Sequence, residues 1–223
     1  TATSNSPTTS WFRLLGTDFA GVYRAAVTNS YGNSIRCLKD ASEEGTADED
    51  ATNEEPPSLS DPTCASSSIE FDGQSYNVVQ VGTQCWFKEN LRTTQYANGL
   101  PIPQVTEPAS WTTAQEGARV AYNNDSTGLA TNGYLYNGFA VNDESGLCPA
   151  GWRVPSDADW TTLADALGGN AVAGGKMKSS SSDNPAWDGT NDSGFQALPT
   201  GIRDHFDGAF LNGETDAAWW SST

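Results

Sequence analysis

Leu147-Cys148-Pro149-Ala150-Gly151-Trp152-Arg153-Val154-Pro155-Ser156-Asp157-Ala158-Asp159-Trp160 is the stretch from which the fold is read. Gly151-Trp152-Arg153-Val154 reads as a short strand. Ser156 then stands where a helix N-cap belongs, with Asp159 three residues on as the acidic member of a capping box. Trp160, Leu163, Ala164 and Leu167 follow at i, i+3, i+4 and i+7, which predicts one buried stripe on a helix over 157–167. Gly168-Gly169 ends it, because glycine accepts the left-handed cap.

Outward from that junction the signals are for strands. Ile69-Glu70-Phe71 and Ser75 to Val81 flank Asp72-Gly73, a pair that tolerates the positive φ of a tight hairpin turn. Tyr134-Leu135-Tyr136 is a further strand. The rest of 64–223 reads as turns and short strands around one main helix, so the expected class is α+β with little helix.

The N-terminal residues have a different problem. Residues 1–10 are Ser/Thr-rich and read as an extended loop. Residues 11–40 carry two strand patterns, Gly21–Val27 and Ser34–Leu38, with Asn29-Ser30-Tyr31-Gly32-Asn33 as turn material between them. A two-stranded piece is at best marginal alone in water, so its apolar residues need another surface. Trp11, Phe12, Leu14, Leu15, Phe19, Val22, Tyr23, Ile35 and Leu38 are the residues expected to bury there. Residues 41–63 hold eight acidic residues among Ala, Ser, Thr and Pro, with Leu59 as the one large aliphatic side chain. Such a segment cannot bury enough to order itself and reads as an acidic linker.

Composition narrows the function classes. The chain has 223 residues and a formal net charge of −17, a surface that repels phosphate backbones and argues against a nucleic-acid partner. No apolar run approaches the roughly 20 residues needed for a membrane-spanning helix. Eight Trp, seven Tyr and eight Phe supply core material although only 36% of residues are hydrophobic. Cys37, Cys64, Cys85 and Cys148 match no zinc spacing. Their even number favours two disulfides and an oxidising compartment over four buried thiols.

Several segments together resemble one family. They are Val81-Gly82-Thr83-Gln84-Cys85-Trp86-Phe87-Lys88-Glu89-Asn90-Leu91-Arg92, Gly133-Tyr134-Leu135-Tyr136-Asn137, the 147–160 stretch, Gly194-Phe195-Gln196-Ala197-Leu198-Pro199-Thr200-Gly201, and Trp219-Trp220-Ser221-Ser222. In this order they are similar to the Fibrobacter succinogenes major paralogous domain family, over nearly all of 64–223. The resemblance implies a C-type-lectin-like fold on secreted and surface proteins of Bacteroidetes-like bacteria. Family members run on past Trp-Ser-Ser to a tract like Ser34-Ile35-Arg36-Cys37-Leu38-Lys39-Asp40. Here that tract stands near the N-terminus. The expectation is that residues 1–40 are a displaced tail completing a 64–223 body, either within one chain as a circular permutant or on a neighbouring copy.

Arg153-Val154-Pro155-Ser156-Asp157-Ala158-Asp159-Trp160 is also similar to a stretch of formylglycine-generating enzymes. Those enzymes use a cysteine pair late in the domain, and residues 149–223 contain no cysteine. Asp204, His205 and Asp207 offer no nucleophile that sequence can pair with them. Asp183, Asp188, Asn191 and Asp192 are a weak calcium candidate, since Asx-rich turns arise for local backbone reasons. The expectation is therefore no catalysis, no cofactor and no metal.

The positive expectations are structural. Cys64 and Cys85 flank the Asp72-Gly73 hairpin and are expected to pair. In a lectin-like fold Cys37 and Cys148 are neighbours, which implies the second disulfide. The expected docking residues are Trp11, Phe12, Leu14, Val22, Tyr23, Ile35 and Leu38. Asp125-Ser126-Thr127 looks like a Bacteroidetes-type O-glycosylation site, with Ser126 as acceptor of a covalent glycan. The preferred function is a subunit or repeat of an extracellular or cell-surface filament, joined to copies of itself head to tail. The alternative is a secreted lectin-like adhesin or carbohydrate-binding module closed in cis.

Overall fold

Residues 8–40 contribute four strands, and every sheet they enter also contains strands from the body. The computed structural model describes residues 8–40, 64 and 66–222. The N-terminal strands are β1 (Thr9–Gly16), β2 (Tyr23–Thr28), β3 (Gly32–Asn33) and β4 (Leu38–Lys39). The body supplies β5 (Ser68–Phe71), β6 (Gln74–Val81), β7 (Gln84–Phe87), β8 (Arg119–Ala121), β9 (Tyr134–Asn137), β10 (Trp152–Arg153), β11 (Ile202–Arg203), β12 (Phe210–Leu211) and β13 (Asp216–Trp220). Its helices are α1 (Pro108–Thr112), α2 (Leu129–Asn132), α3 (Gly138–Val141), α4 (Asp157–Ala166) and α5 (Asn170–Met177). The class is α+β, rich in strand. None of the helices among the described residues is long and apolar enough to cross a membrane.

Three sheets organise the molecule, in the orders β13-β1-β2, β10-β4-β7-β6-β5 and β12-β11-β3-β9-β8. Each has an N-terminal strand in an interior position. β1 pairs with β13 through Phe12 opposite Trp220 and Leu14 opposite Ala218. β4 puts Leu38 between Arg153 of β10 and Trp86 of β7. β3 puts Gly32 between Arg203 of β11 and Asn137 of β9. The apolar clusters are shared in the same way. Ile35 and Cys37 pack with Tyr76, Phe87, Tyr136 and Trp220. Leu15 and Leu38 pack with Trp86, Trp160, Phe195 and Trp219.

The junction read from 147–160 forms as expected. Ser156 and Asp159 make a reciprocal capping box at the start of α4, and Trp160, Leu163 and Ala164 are buried. At the hairpin between β5 and β6, Asp72 and Gly73 both take positive φ.

Four expectations are corrected. Residues 9–16 form a strand where a loop and an unassigned segment were expected. The side chains of β1 that turn inward include Ser10 and Arg13, so hydropathy does not alternate along it. Ser34–Leu38 is not one strand. Every residue from Gly32 to Leu38 is buried, and the run passes from one five-stranded sheet to the other. Residues 170–177 form the helix α5, which Gly174 and Gly175 concealed, since glycine is a poor helix former. Gly174 is needed there because a Cβ would strike the Gly21 and Ala20 carbonyl oxygens. Finally, Phe19 and Tyr23 are 52% and 54% exposed instead of buried. Tyr23 lies on β2, the edge strand of its sheet, where one side has no neighbour. The linker expected at 41–63 and the first residues of the 1–40 segment lie outside the described residues.

Candidate functional site

The feature that most distinguishes this chain is the seam between residues 8–40 and the body. It is covalent at one point: Cys37 and Cys148 form a disulfide with Cα atoms 5.9 Å apart. A second disulfide, Cys64–Cys85, ties the residues before β5 to β7. Among the described residues no cysteine is free.

Arg36 lies beside Cys37 and is buried. Its guanidinium donates to the Phe195 and Gln196 carbonyl oxygens and, at 3.0 Å, to Asn90 Oδ1. It stands over the Phe195 ring with 4.0 Å to the centroid. Burial lowers its pKa to about 9, only partly opposed by Glu89, so it is still charged at neutral pH. Asn90 is the hub of this corner. Its Oδ1 also accepts from Trp219 Nε1 at 2.9 Å, and its Nδ2 donates to Asn132 O at 2.9 Å and Ser34 Oγ at 3.3 Å. Main-chain bonds run alongside, from Ser34 N to Ala218 O, Trp220 N to Ser34 O, Leu91 N to Ile35 O and Phe87 N to Cys37 O.

Further cations cross the seam. Lys178, on the body and nearly fully buried, donates to the Gly16 and Phe19 carbonyl oxygens at 2.9 and 3.1 Å and pairs with Asp188 at 2.7 Å. Asp157, at the N-terminus of α4, receives Arg13 at 2.7 Å and Arg24 at 2.6 Å. Burial alone would raise the Asp157 pKa, but the hydrogen bonds and charges of Arg24 and Arg13 outweigh it and hold the carboxyl below its usual range. Asp159 is likewise held low, with burial outweighed by Arg153 and Ser156.

Asp157 gives the seam an acid limit, and Asp159 gives one to the α4 cap beside it. Both titrate lower in the folded state than in the unfolded chain. Their stabilisation is therefore complete above the ordinary aspartate value of about 3.9 and is lost as pH falls through the folded values. Thermal unfolding followed from neutral pH to about pH 3 should show a loss of melting temperature that is smaller in an Asp157→Asn variant. Equal acid sensitivity in both proteins would remove Asp157 from the account.

The expected docking residues do not act alike. Ile35 and Leu38 are fully buried; Trp11, Phe12, Leu14 and Val22 are half-buried; Tyr23 is exposed. The charged anchors Arg13, Arg36 and Lys178 were not among them. A cation inside the apolar tract Ile35-Arg36-Cys37-Leu38 was the available signal for Arg36.

A cleft of about 810 Å³ opens on the same seam. Asn29 reaches it from the N-terminal segment; Tyr96, Glu116, Phe139, Asn142 and Asp143 reach it from the body. Asn142 Nδ2 donates to Ser10 Oγ at 2.9 Å, and Ser10 Oγ donates to Asn29 Oδ1 at 2.8 Å, so the cleft floor is stitched across the two parts. Tyr96 is buried but for 6% of its surface. Burial, and then the charges of Asp143 and Glu116, raise its pKa to about 12, so the hydroxyl keeps its proton.

The other candidates are dispersed. His205 Nδ1 lies 3.2 Å from Asp204 Oδ1 and its ring stacks on Tyr31, while Asp207 accepts from the Ala209 amide. Asp183 accepts from Ser180 N and Asn191 Nδ2, Asp188 pairs with Lys178, and Asp192 points to solvent. Among the described residues no three acidic, His or Cys side chains gather as a metal site. Ser126 is exposed in a turn that Asp125 closes by accepting from Thr127 N and Oγ, both at 2.8 Å.

The family model described as Fibrobacter succinogenes major domain matches residues 79–223. No curated protein and no solved structure matches the chain. The matched residues begin within β6, so β3 and β4 lie outside the match although they occupy interior places in sheets built by matched residues.

Proposed function

The chain belongs to the Fibrobacter succinogenes major domain family, and from that premise we propose that it is a structural subunit or repeat of an extracellular bacterial filament, assembled by docking residues 1–40 of one copy on the 64–223 body of the next. One observation carries the reading: the N-terminal segment supplies an interior strand to all three sheets. A body without it would expose the pairing edges of β7, β9 and β13 and the apolar surface that Leu15, Ile35 and Leu38 cover. Such an edge is a template for a donated strand, which brings main-chain hydrogen bonds and a buried apolar face together.

The spacing of the two parts permits transfer between copies. The 23 residues 41–63 could span about 75 Å at about 3.3 Å per residue. A head-to-tail contact of this kind is heterologous and, unless its rotation closes a ring, generates a helical filament. The C-type-lectin-like assignment belongs to the same proposal and rests on the family resemblance. Two disulfides fit an oxidising compartment outside the cytoplasm. In this reading the chain has no catalytic role, and exposed Ser126 carries a covalent glycan on the outer surface.

Electron microscopy of the purified native material is expected to show rods, and mass spectrometry of its peptides is expected to place added hexose-scale mass on the peptide containing Ser126. Uniform globules of monomer size would overturn the filament and favour a subunit closed in cis. An unmodified Ser126 peptide from the native source would remove the glycan alone.

A further inference from the structure

We propose that the cleft at the seam is a saccharide-binding site, completed only when the N-terminal segment is docked. Its volume of about 810 Å³ lies in the range of about 300–1,000 Å³ typical of small-molecule sites. Its chemistry is two-sided. Phe139, with Leu100 and Pro101, offers flat apolar surface, while Tyr96, Glu116 and Asp143 offer one hydroxyl donor and two carboxylate acceptors.

Tyr96 is the most telling group. It is more than nine-tenths buried, and its hydroxyl makes no hydrogen bond among the described residues. It reaches past Gly117, where any Cβ would overlap the phenol oxygen. The hydroxyl oxygen is not sealed off with the ring but meets solvent in the cleft, so a ligand acceptor can engage this donor in place of water.

The ligand class follows by elimination. No Lys, Arg or His lines the cleft, so an anion would meet Glu116 and Asp143 without compensation. A wholly apolar ligand would leave the same carboxylates and Tyr96 desolvated without partners. No metal-type cluster forms among the described residues. A sugar ring meets every requirement: its hydroxyl rim donates to Glu116 and Asp143 and accepts from Tyr96, and its C–H face lies on Phe139. Neutral sugars and amino sugars both fit.

Because Asn29 belongs to the N-terminal segment and Asn142 is held through Ser10, the site exists only across the seam. Saccharide and docked segment therefore stabilise one another, by reciprocal linkage.

The test uses the full chain and defined disaccharides: cellobiose, maltose, mannobiose, chitobiose and N,N′-diacetylchitobiose, with trilysine as a cationic control. Titration calorimetry should give saturable binding of at least one disaccharide. Phe139→Ala and Glu116→Gln should each weaken it about tenfold, the factor for about 1.4 kcal/mol and the scale of one hydrogen bond to a charged group. Should a variant misfold, amide chemical shifts of the unmodified protein decide the matter: perturbation on titration should centre on Gly117, Phe139 and Asn142. Absence of saturable binding to all five sugars, perturbation centred elsewhere, or binding of trilysine in their place would each overturn the proposal. Rods in the microscope with no sugar binding would fail this site and leave the filament standing.

Discussion

Changing Cys37 and Cys148 together to serine should produce the largest single loss of integrity in this protein, and the form of the loss should reveal where the N-terminal segment docks. The bond joins positions 111 residues apart. Within one chain, closing a loop of about 100 residues is worth about 4.7 kcal/mol in the chain-entropy model. Closure in cis therefore predicts a drop of that order in unfolding free energy that does not change with protein concentration. Docking in trans predicts something else. The bond then links subunits, and its removal leaves a non-covalent polymer that falls apart on dilution. Electrophoresis of the unaltered protein under denaturing conditions without reductant should show a ladder, collapsing with reductant toward 23.6 kDa or higher with glycans attached. A single monomer band without reductant, with Cys37–Cys148 intact inside it, would sink the covalently linked filament. A very long product that reductant leaves unchanged would mean one tandem-repeat polypeptide. Breaking Cys64–Cys85 is the internal comparison. Its partners are 21 apart in sequence, the bond lies wholly within the body, and about 3 kcal/mol should be lost without any effect on the ladder.

The sequence was most legible where a local rule and the tertiary structure agree. The α4 boundaries followed from Ser156, Asp159 and the spacing of Trp160, Leu163 and Ala164, because a capping box and a buried stripe act within one element. The Asp72-Gly73 hairpin was legible for the same reason. Illegible elements were those whose conformation depends on a distant partner. β1 hides its identity because Arg13 faces inward toward Asp157, 144 residues away. α5 hides because Gly174 serves the approach of Gly21 and not the helix it sits in. The cleft was not foreseen at all. Its residues come from four separate stretches, and nothing in Tyr96 or Phe139 marks them apart from the many core aromatics. The seam itself was visible only through the order of family motifs; no propensity in 1–40 says which body those residues complete.

The second large effect concerns Arg36, and a comparison with Arg24 isolates what burial does. Both are arginines of the N-terminal segment that bind the body. Arg24 is 44% exposed at its side chain and shares Asp157 with Arg13. Water can replace it, so Arg24→Ala should cost at most about 1 kcal/mol, as exposed ion pairs do. Arg36 has no such substitute. Without it the buried Phe195 and half-buried Gln196 carbonyl oxygens lose their charged donor, while Asn90 Oδ1 keeps the Trp219 indole. One buried acceptor left unpaired at about 1–3 kcal/mol, a half-buried one at the low end of that range, and the lost stacking on Phe195 give about 2–5 kcal/mol for Arg36→Ala. Arg36→Lys should recover only part of this, because one ammonium cannot reproduce a planar fork that serves both carbonyls and the Asn90 amide. Urea unfolding of the three variants should therefore rank them Arg24→Ala, Arg36→Lys, Arg36→Ala in increasing damage. The same order should appear in the yield of rods, since β3 and β4, on either side of Arg36, enter the two five-stranded sheets. If Arg36→Ala unfolds at the same urea concentration as the unaltered protein, the guanidinium does not hold the segment in place. Docking would then rest on the disulfide and the strand pairing alone.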